Sequence, residues 1–149
     1  MTMKVRQISA KDTYSIRQKM LRPGREAIEC IFKDDEDNQT IHLGAFIDGK
    51  LVSVASFFFN NNPRFAENVQ YQLRGMATLP EHQNHGYSRE LLKFGFPMIK
   101  RNFCDLVWCN ARTSAEGFYQ KAGFEAIGEV FDIPDVGPHR LMIKKFSIS

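Results

Sequence analysis

Hydrophobic and polar positions change period several times along the chain, and each change predicts an element. "MKVRQI" alternates as a short strand, whereas "DTYSIRQKML" from Asp12 carries the wider helical spacing with an Asp or Ser cap. Arg22-Pro23-Gly24 ends that helix, because proline lacks the donor and restricts the residue before it. Residues 25–32 form a second, short helical pattern, and the acidic run Asp34 to Asp37 reads as a solvated turn. In "TIHLGAFIDGKLVSVASFFFN" two β-rich runs flank Asp48-Gly49, a pair suited to the positive φ angles of a tight hairpin turn.

After Pro63, "NVQYQLRGMATL" predicts a strand, residues 86–102 a helix, "CDLVWCN" a buried strand, and "TSAEGFYQKA" a helix stopped at Gly123. "EAIGEVFDI" and "HRLMIKKF" form a last strand pair around "PDVGP". Pro97 falls inside the helix of residues 86–102 and predicts a bend or early end there. The order implies an α/β layered fold, with a mixed sheet whose parallel crossover runs from Met76 through Cys109.

Length and composition narrow the class. The chain of 149 residues, 43% hydrophobic and 25% charged, suits one domain over residues 1–149 with its own core. No apolar run approaches the roughly 18 residues of a membrane span, and "MTMKVRQISAKD" lacks a signal-peptide core, so the expected location is cytoplasmic, away from membranes. Cys30, Cys104 and Cys109 have no framework spacing and read as free buried thiols. The net charge of +3 comes from scattered Lys and Arg, which argues against a nucleic-acid partner.

The crossover carries the candidate chemistry. A strand that passes through a glycine-containing loop into a helix presents unpaired amides at the positive end of the helix dipole, a setting that binds anions. "QNHGYS", Gln83 to Ser88, stands in that setting, although one glycine before a helix also makes an ordinary surface turn. G-x-x-x-x-G-K-[ST] and G-x-G-x-x-G are both missing, which removes the usual nucleotide-hydrolysing and dinucleotide-binding assignments. His82 and His85 lack further ligands nearby, so no metal is expected. "GYSRE" lacks the second glycine of a nucleophile elbow, and Cys109 has no base at a telling spacing.

"LRGMATLPEHQNHGYSRELL" resembles the acetyl-CoA loop of the GNAT acetyltransferase superfamily, Q/R-x-x-G-x-G/A after a strand. The matches are Gln83, Gly86 and, imperfectly, Ser88 in place of the usual Gly or Ala. "ARTSAEGFYQKAGFEAIG" is similar to the superfamily's later F-Y-x-x-x-G-F signature, in the same order and at about the usual distance. The strong resemblance covers residues 71–128, and a weaker one in strand order extends over residues 42–146. It implies a mostly antiparallel sheet of about six to seven strands flanked by helices. It further implies acetyl-CoA as co-substrate and N-acetylation of a primary amine on a small molecule or peptide, with a homodimer compatible. A non-catalytic acyl-CoA-binding or regulatory module of the same fold is the alternative.

Under that resemblance Gln83, Asn84, His85, Gly86, Tyr87, Ser88 and Arg89 cradle the cofactor's phosphates, while Met76, Ala77 and Thr78 hold its arm beside a bulge or splay. Asn110 either holds the arm or caps the helix from Thr113 or Ser114. Tyr119 occupies the general-acid position, since a phenol titrating at about 10 can protonate a thiolate of pKa about 8.5. The same tyrosine also suits plain core packing, as do Phe118 and Phe124. Arg112, Arg89 and Lys121 are candidate phosphate partners or solvated charges. Glu67, Asp132, His42 and His139 are candidate bases, with His139 also read as a structural histidine. Glu26, Glu29 and Glu67 with Phe58, Phe59 and Phe65 suit a cationic acceptor with an apolar body.

Overall fold

The computed structural model describes residues 2–146. Its strands are β1 (Met3–Ile8), β2 (Ile41–Ile47), β3 (Lys50–Phe59), β4 (Gln70–Thr78), β5 (Leu106–Arg112), β6 (Glu125–Ile133) and β7 (Gly137–Lys145). Three α-helices accompany them: α1 (Ala10–Met20), α2 (Tyr87–Arg101) and α3 (Glu116–Lys121). The strands form one seven-stranded sheet in the order β1-β2-β3-β4-β5-β7-β6. β4 and β5 pair in parallel, as the crossover requires, whereas β1–β2, β2–β3, β5–β7 and β6–β7 are antiparallel. No helix among the described residues is long and apolar enough to cross a membrane.

The chain divides into two compact units, one of residues 1–58 and 73–98, the other of residues 59–72 and 99–149. In the first, the β2–β3 hairpin turns on Asp48 at φ 48° and Gly49 at φ 84°, both left-handed as the Asp-Gly pair predicts. Leu43, Val52, Val54, Phe57, Leu91 and Leu92 make its core, each 1% exposed or less. Each such side chain is worth about 1.5–3 kcal/mol of burial. Gly95 sets how closely α2 lies on the hairpin, because a Cβ there would stand 2.5 Å from the Phe57 ring and 2.9 Å from Leu43. Ser9 rather than Asp12 caps α1; Asp12 sits three residues in and closes the capping box with it.

Two details of this unit differ from a simple reading of the sequence. α2 is not shortened: it continues through Pro97 for 15 residues, the proline's missing donor costing one internal bond on an exposed face. The acidic run is not wholly solvated either, since Asp35 is 4% exposed and grips the equally buried Arg17 through two bonds of 2.7 and 3.0 Å. Burying a carboxylate is costly unless donors surround it, and Asp35 also accepts from the Phe32 amide at 2.7 Å.

In the second unit Leu106, Trp108, Leu141 and Ile143 form a cluster with Phe65 and Ile127 against it. The Trp108 indole donates to the Asn60 carbonyl at 2.8 Å, which satisfies its buried N–H. Gln70, fully buried, accepts from the Asn62 amide at 2.8 Å and donates to the Glu67 carbonyl at 3.0 Å, while its own N–H reaches Asn61 Oδ1 at 2.9 Å. The "NNNPRF" loop is therefore held by amide bonds. Cys30 in the first unit, and Cys104 and Cys109 in the second, are buried free thiols.

Candidate functional site

The β4–α2 connection is built as an anion site would be. Gly75 interrupts β4 at φ 66°, a left-handed angle inside a strand, just before Met76, Ala77 and Thr78. A single 3-10 turn over Pro80–His82 follows, and then Asn84 at φ 63° and Gly86 at φ 83° swing the chain into α2 at Tyr87. The first amide of α2 bonded back along the helix is Glu90's, to the Gly86 carbonyl at 3.1 Å. The amides of Tyr87, Ser88 and Arg89 precede it at the positive end of the dipole, where helical geometry gives them no partner.

Short side-chain bonds hold the loop in place. Gln83 folds back to donate to the Thr78 carbonyl at 3.1 Å, and the His85 ring bonds the Gln83 carbonyl at 2.8 Å while stacking on Tyr87 at 5.7 Å. Ser88 joins a hydroxyl chain, Ser88 to Thr78 at 3.1 Å and Thr78 to Ser53 at 2.7 Å, that ties the first turn of α2 to β3 and β4. The hydroxyl that departs from the usual Gly or Ala is thus turned inward to the strands. Around Gly86 a Cβ would meet only the Arg89 guanidinium, at 3.8 Å, so the glycine serves its backbone angle and leaves open space beside the loop. Those features fit a phosphate group held by main-chain donors, with Arg89 beside them.

Met76, Ala77, Thr78 and the whole stretch Gln83 to Arg89 therefore come together in the first unit. Asn110 and Tyr119 lie in the second. Asn110 is exposed within β5, opposite Leu141 on β7. It caps no helix, because Arg112 and Ala115 hold the two cap positions that follow. Tyr119, on α3, has its ring edge-on to Phe118 at 5.2 Å and Phe124 at 5.4 Å. Burial, and then the neighbouring Cys109, push its phenol well above the ordinary value of 10.0, so it stays protonated throughout the neutral range.

Several of the other candidates have partners of their own. His42 is buried, with Nε2 2.9 Å from the Asp35 carbonyl and Nδ1 2.6 Å from Ser56 Oγ. A carbonyl only accepts, so Nε2 carries the hydrogen and Nδ1 accepts from the serine, which in turn accepts from Arg17 at 3.0 Å. Desolvation lowers the His42 pKa despite the adjacent Asp35. His139 is buried in β7 with Nδ1 2.7 Å from the Gly137 carbonyl. Glu29 pairs with Arg25 at 3.6 Å and Glu67 with Lys145 at 3.5 Å, and Glu26 is exposed at the start of a 3-10 turn. Phe58 is buried, whereas Phe59 stands 41% exposed. Burial pushes the Cys109 thiol up to about 12 and the Cys104 thiol to about 11, which leaves neither a thiolate for nucleophilic chemistry. Among the described residues no group of three or more His, Cys, Asp or Glu side chains is placed to hold a metal ion.

The sequence reading missed the buried Arg17–Asp35–Ser56–His42 network and Arg74 above it. Nothing local marks them, since Arg17 sits on a helix of mixed polarity and Asp35 inside an acidic run.

Comparison with known proteins agrees with this geometry. An N-acetyltransferase of Bacillus subtilis strain 168, the uncharacterized YitI, is 40% identical over 147 residues, covering 99% of both chains. A solved structure of an N-acetyltransferase from Lactobacillus plantarum matches with a TM-score of 0.77 at 17% identity, over 97% of this chain and 99% of that one. The ribosomal-protein-S18-alanine N-acetyltransferase from Escherichia coli matches with a TM-score of 0.76 at 16% identity, over 99% and 96%. Residues 5–124 fit the pattern of the Acetyltransferase (GNAT) family. With a relative of that identity over its full length and that fold, the chain belongs to the GNAT acetyltransferases.

Proposed function

We propose that the protein transfers the acetyl group of acetyl-CoA directly to a primary amine of a small molecule or peptide, as a cytoplasmic enzyme. Acetyl-CoA supplies the activated acetyl group as a thioester. The observation that carries the reading is the left-handed loop at Asn84 and Gly86, opening onto the start of a 15-residue helix and braced by Gln83 and Ser88.

In this reading the amides of Tyr87, Ser88 and Arg89 bind the pyrophosphate, and the Arg89 guanidinium adds a charged donor. Met76, Ala77 and Thr78 bond the pantetheine arm, with the left-handed turn at Gly75 directing an amide toward the thioester carbonyl to stabilise the oxyanion. Tyr119 gives its proton to the departing thiolate; burial keeps that proton on the phenol until the thiolate forms beside it. Asn110 binds the arm through its side-chain amide.

Calorimetry with acetyl-CoA on the wild type and Gly86→Glu tests the cofactor site. The added carboxylate and the strain of a side chain at φ 83° should weaken binding by about 100-fold or more, the scale of a lost charge-assisted contact plus like-charge repulsion. Equal affinity in a folded variant removes the loop from the site.

A further inference from the structure

Arg74 is a cation without a counter-ion. It lies in the middle of β4, half-buried, immediately before the left-handed Gly75. Its guanidinium carbon stands 4.2 Å from the centre of the Phe32 ring and 5.8 Å from that of Phe58. Among the described residues no carboxylate pairs with it and no hydrogen bond to its side chain is made.

The one carboxylate buried nearby is already taken. Both oxygens of Asp35 are held by Arg17, and the Phe32 amide donates to one of them as well. Arg17 itself lies 4.0 Å over the same Phe32 ring. Its Nε–H, wholly buried, has no acceptor and faces Gly75, 3.2 Å from where a Cβ would stand. Two guanidiniums therefore share one aromatic ring, while the one buried carboxylate serves Arg17. The resulting positive field, with Arg22 adding to it, lowers the Arg74 pKa after desolvation has done so.

Aromatic contact offsets only part of the hydration that a guanidinium loses on burial. A planar fork left with free N–H groups, partly open to solvent and set on aromatic walls, matches a carboxylate in shape and charge. It also lies two residues from Met76. We propose that Arg74 forms an anion subsite for the acceptor's carboxylate, so that the acceptor is a small amino carboxylate rather than a simple cationic amine.

This rests on the acetyl-transfer reading for its placement, and it replaces the acidic acceptor site that sequence composition suggested. Of those carboxylates, Glu29 and Glu67 are spent on Arg25 and Lys145.

The test compares N-acetyl amino acids of alanine, leucine, phenylalanine, lysine and glutamate with their C-terminal carboxamides, which keep the shape and drop the charge. Binding is measured by calorimetry in the presence of CoA, on the wild type, Arg74→Gln and Arg74→Lys, with thermal unfolding to show that the variants fold. At least one acid should bind the wild type about tenfold or more tightly than its amide. Arg74→Gln should bring acid and amide to within about twofold, and Arg74→Lys should fall between, because it keeps the charge and loses the fork. No acid bound better than its amide, or a preference that survives Arg74→Gln, overturns the subsite. Thioester turnover is assayed separately on the free amino acids and their amides. Discrimination without turnover would defeat the transferase reading alone, and turnover without discrimination would defeat this inference alone.

Discussion

His42 shows how far a residue's role depends on partners that are distant in sequence. Its two ring nitrogens are spent on Ser56 and Asp35, and burial lowers its pKa below the ordinary 6.5, so the fold holds it neutral. A depressed folded value contributes stability that is present in full above 6.5 and is lost as the pH falls from there through the folded value. Chemical denaturation between pH 8 and about 5 should therefore show unfolding free energy falling with acid by at most about 1.4 kcal/mol per pH unit from this group. His42→Gln should flatten that slope, and an unchanged slope would show that His42 is not the group responsible. At the same scale, Tyr119→Phe should lower kcat by about 10²–10⁴-fold with acetyl-CoA affinity and folding nearly intact. Unchanged turnover would return Tyr119 to packing alone.

At the scale of elements the sequence was legible wherever the signal was local. Asp48-Gly49 fixes the hairpin through two residues, and Gly86 fixes the entry to α2 through one; both sit at the left-handed angles their types suggest. The loop residues Gln83 to Arg89 stand out in the sequence for the same reason. What stayed hidden depends on pairing across distance. Arg17 and Asp35 are 18 positions apart, and each looks like a solvated charge until the fold buries them together. The bonds of Asn61 and Asn62 to Gln70, which hold their loop to the start of β4, likewise have no local signal. Pro97 does not end its helix, because the rule against proline concerns a lost bond, and a long amphipathic helix tolerates one such loss on its exposed side. Gly95 offers a test of packing on the same helix. Replacing it by alanine gains about 1 kcal/mol of helix propensity. The new Cβ, however, would press on the Phe57 ring at 2.5 Å, and overpacking of a filled core costs about 1–3 kcal/mol. Gly95→Val, with less propensity to offset the clash, should lower stability by at least about 2 kcal/mol in urea unfolding. A neutral result would mean that α2 can lift away from β2 and β3 at little expense.

For the molecule as a whole, the family rests on the matching family pattern and a relative 40% identical over 99% of both chains, and the fold is shared with solved acetyltransferase structures. Family membership stops short of the acceptor, for which the proposed determinant is Arg74, a guanidinium without a carboxylate partner among the described residues. Acetyl transfer remains the claim on which these roles depend. Its most direct test is the release of free CoA thiol from acetyl-CoA by the purified wild-type chain, over a panel of amino acids, polyamines, aminoglycosides and peptides, with each product weighed by mass spectrometry. The account predicts thiol release that depends on an added amine and yields the N-acetylated acceptor, strongest among amines that also carry a carboxylate. Tight acetyl-CoA binding with no amine-dependent release across the panel, or acetylation of hydroxyl acceptors alone, would contradict it.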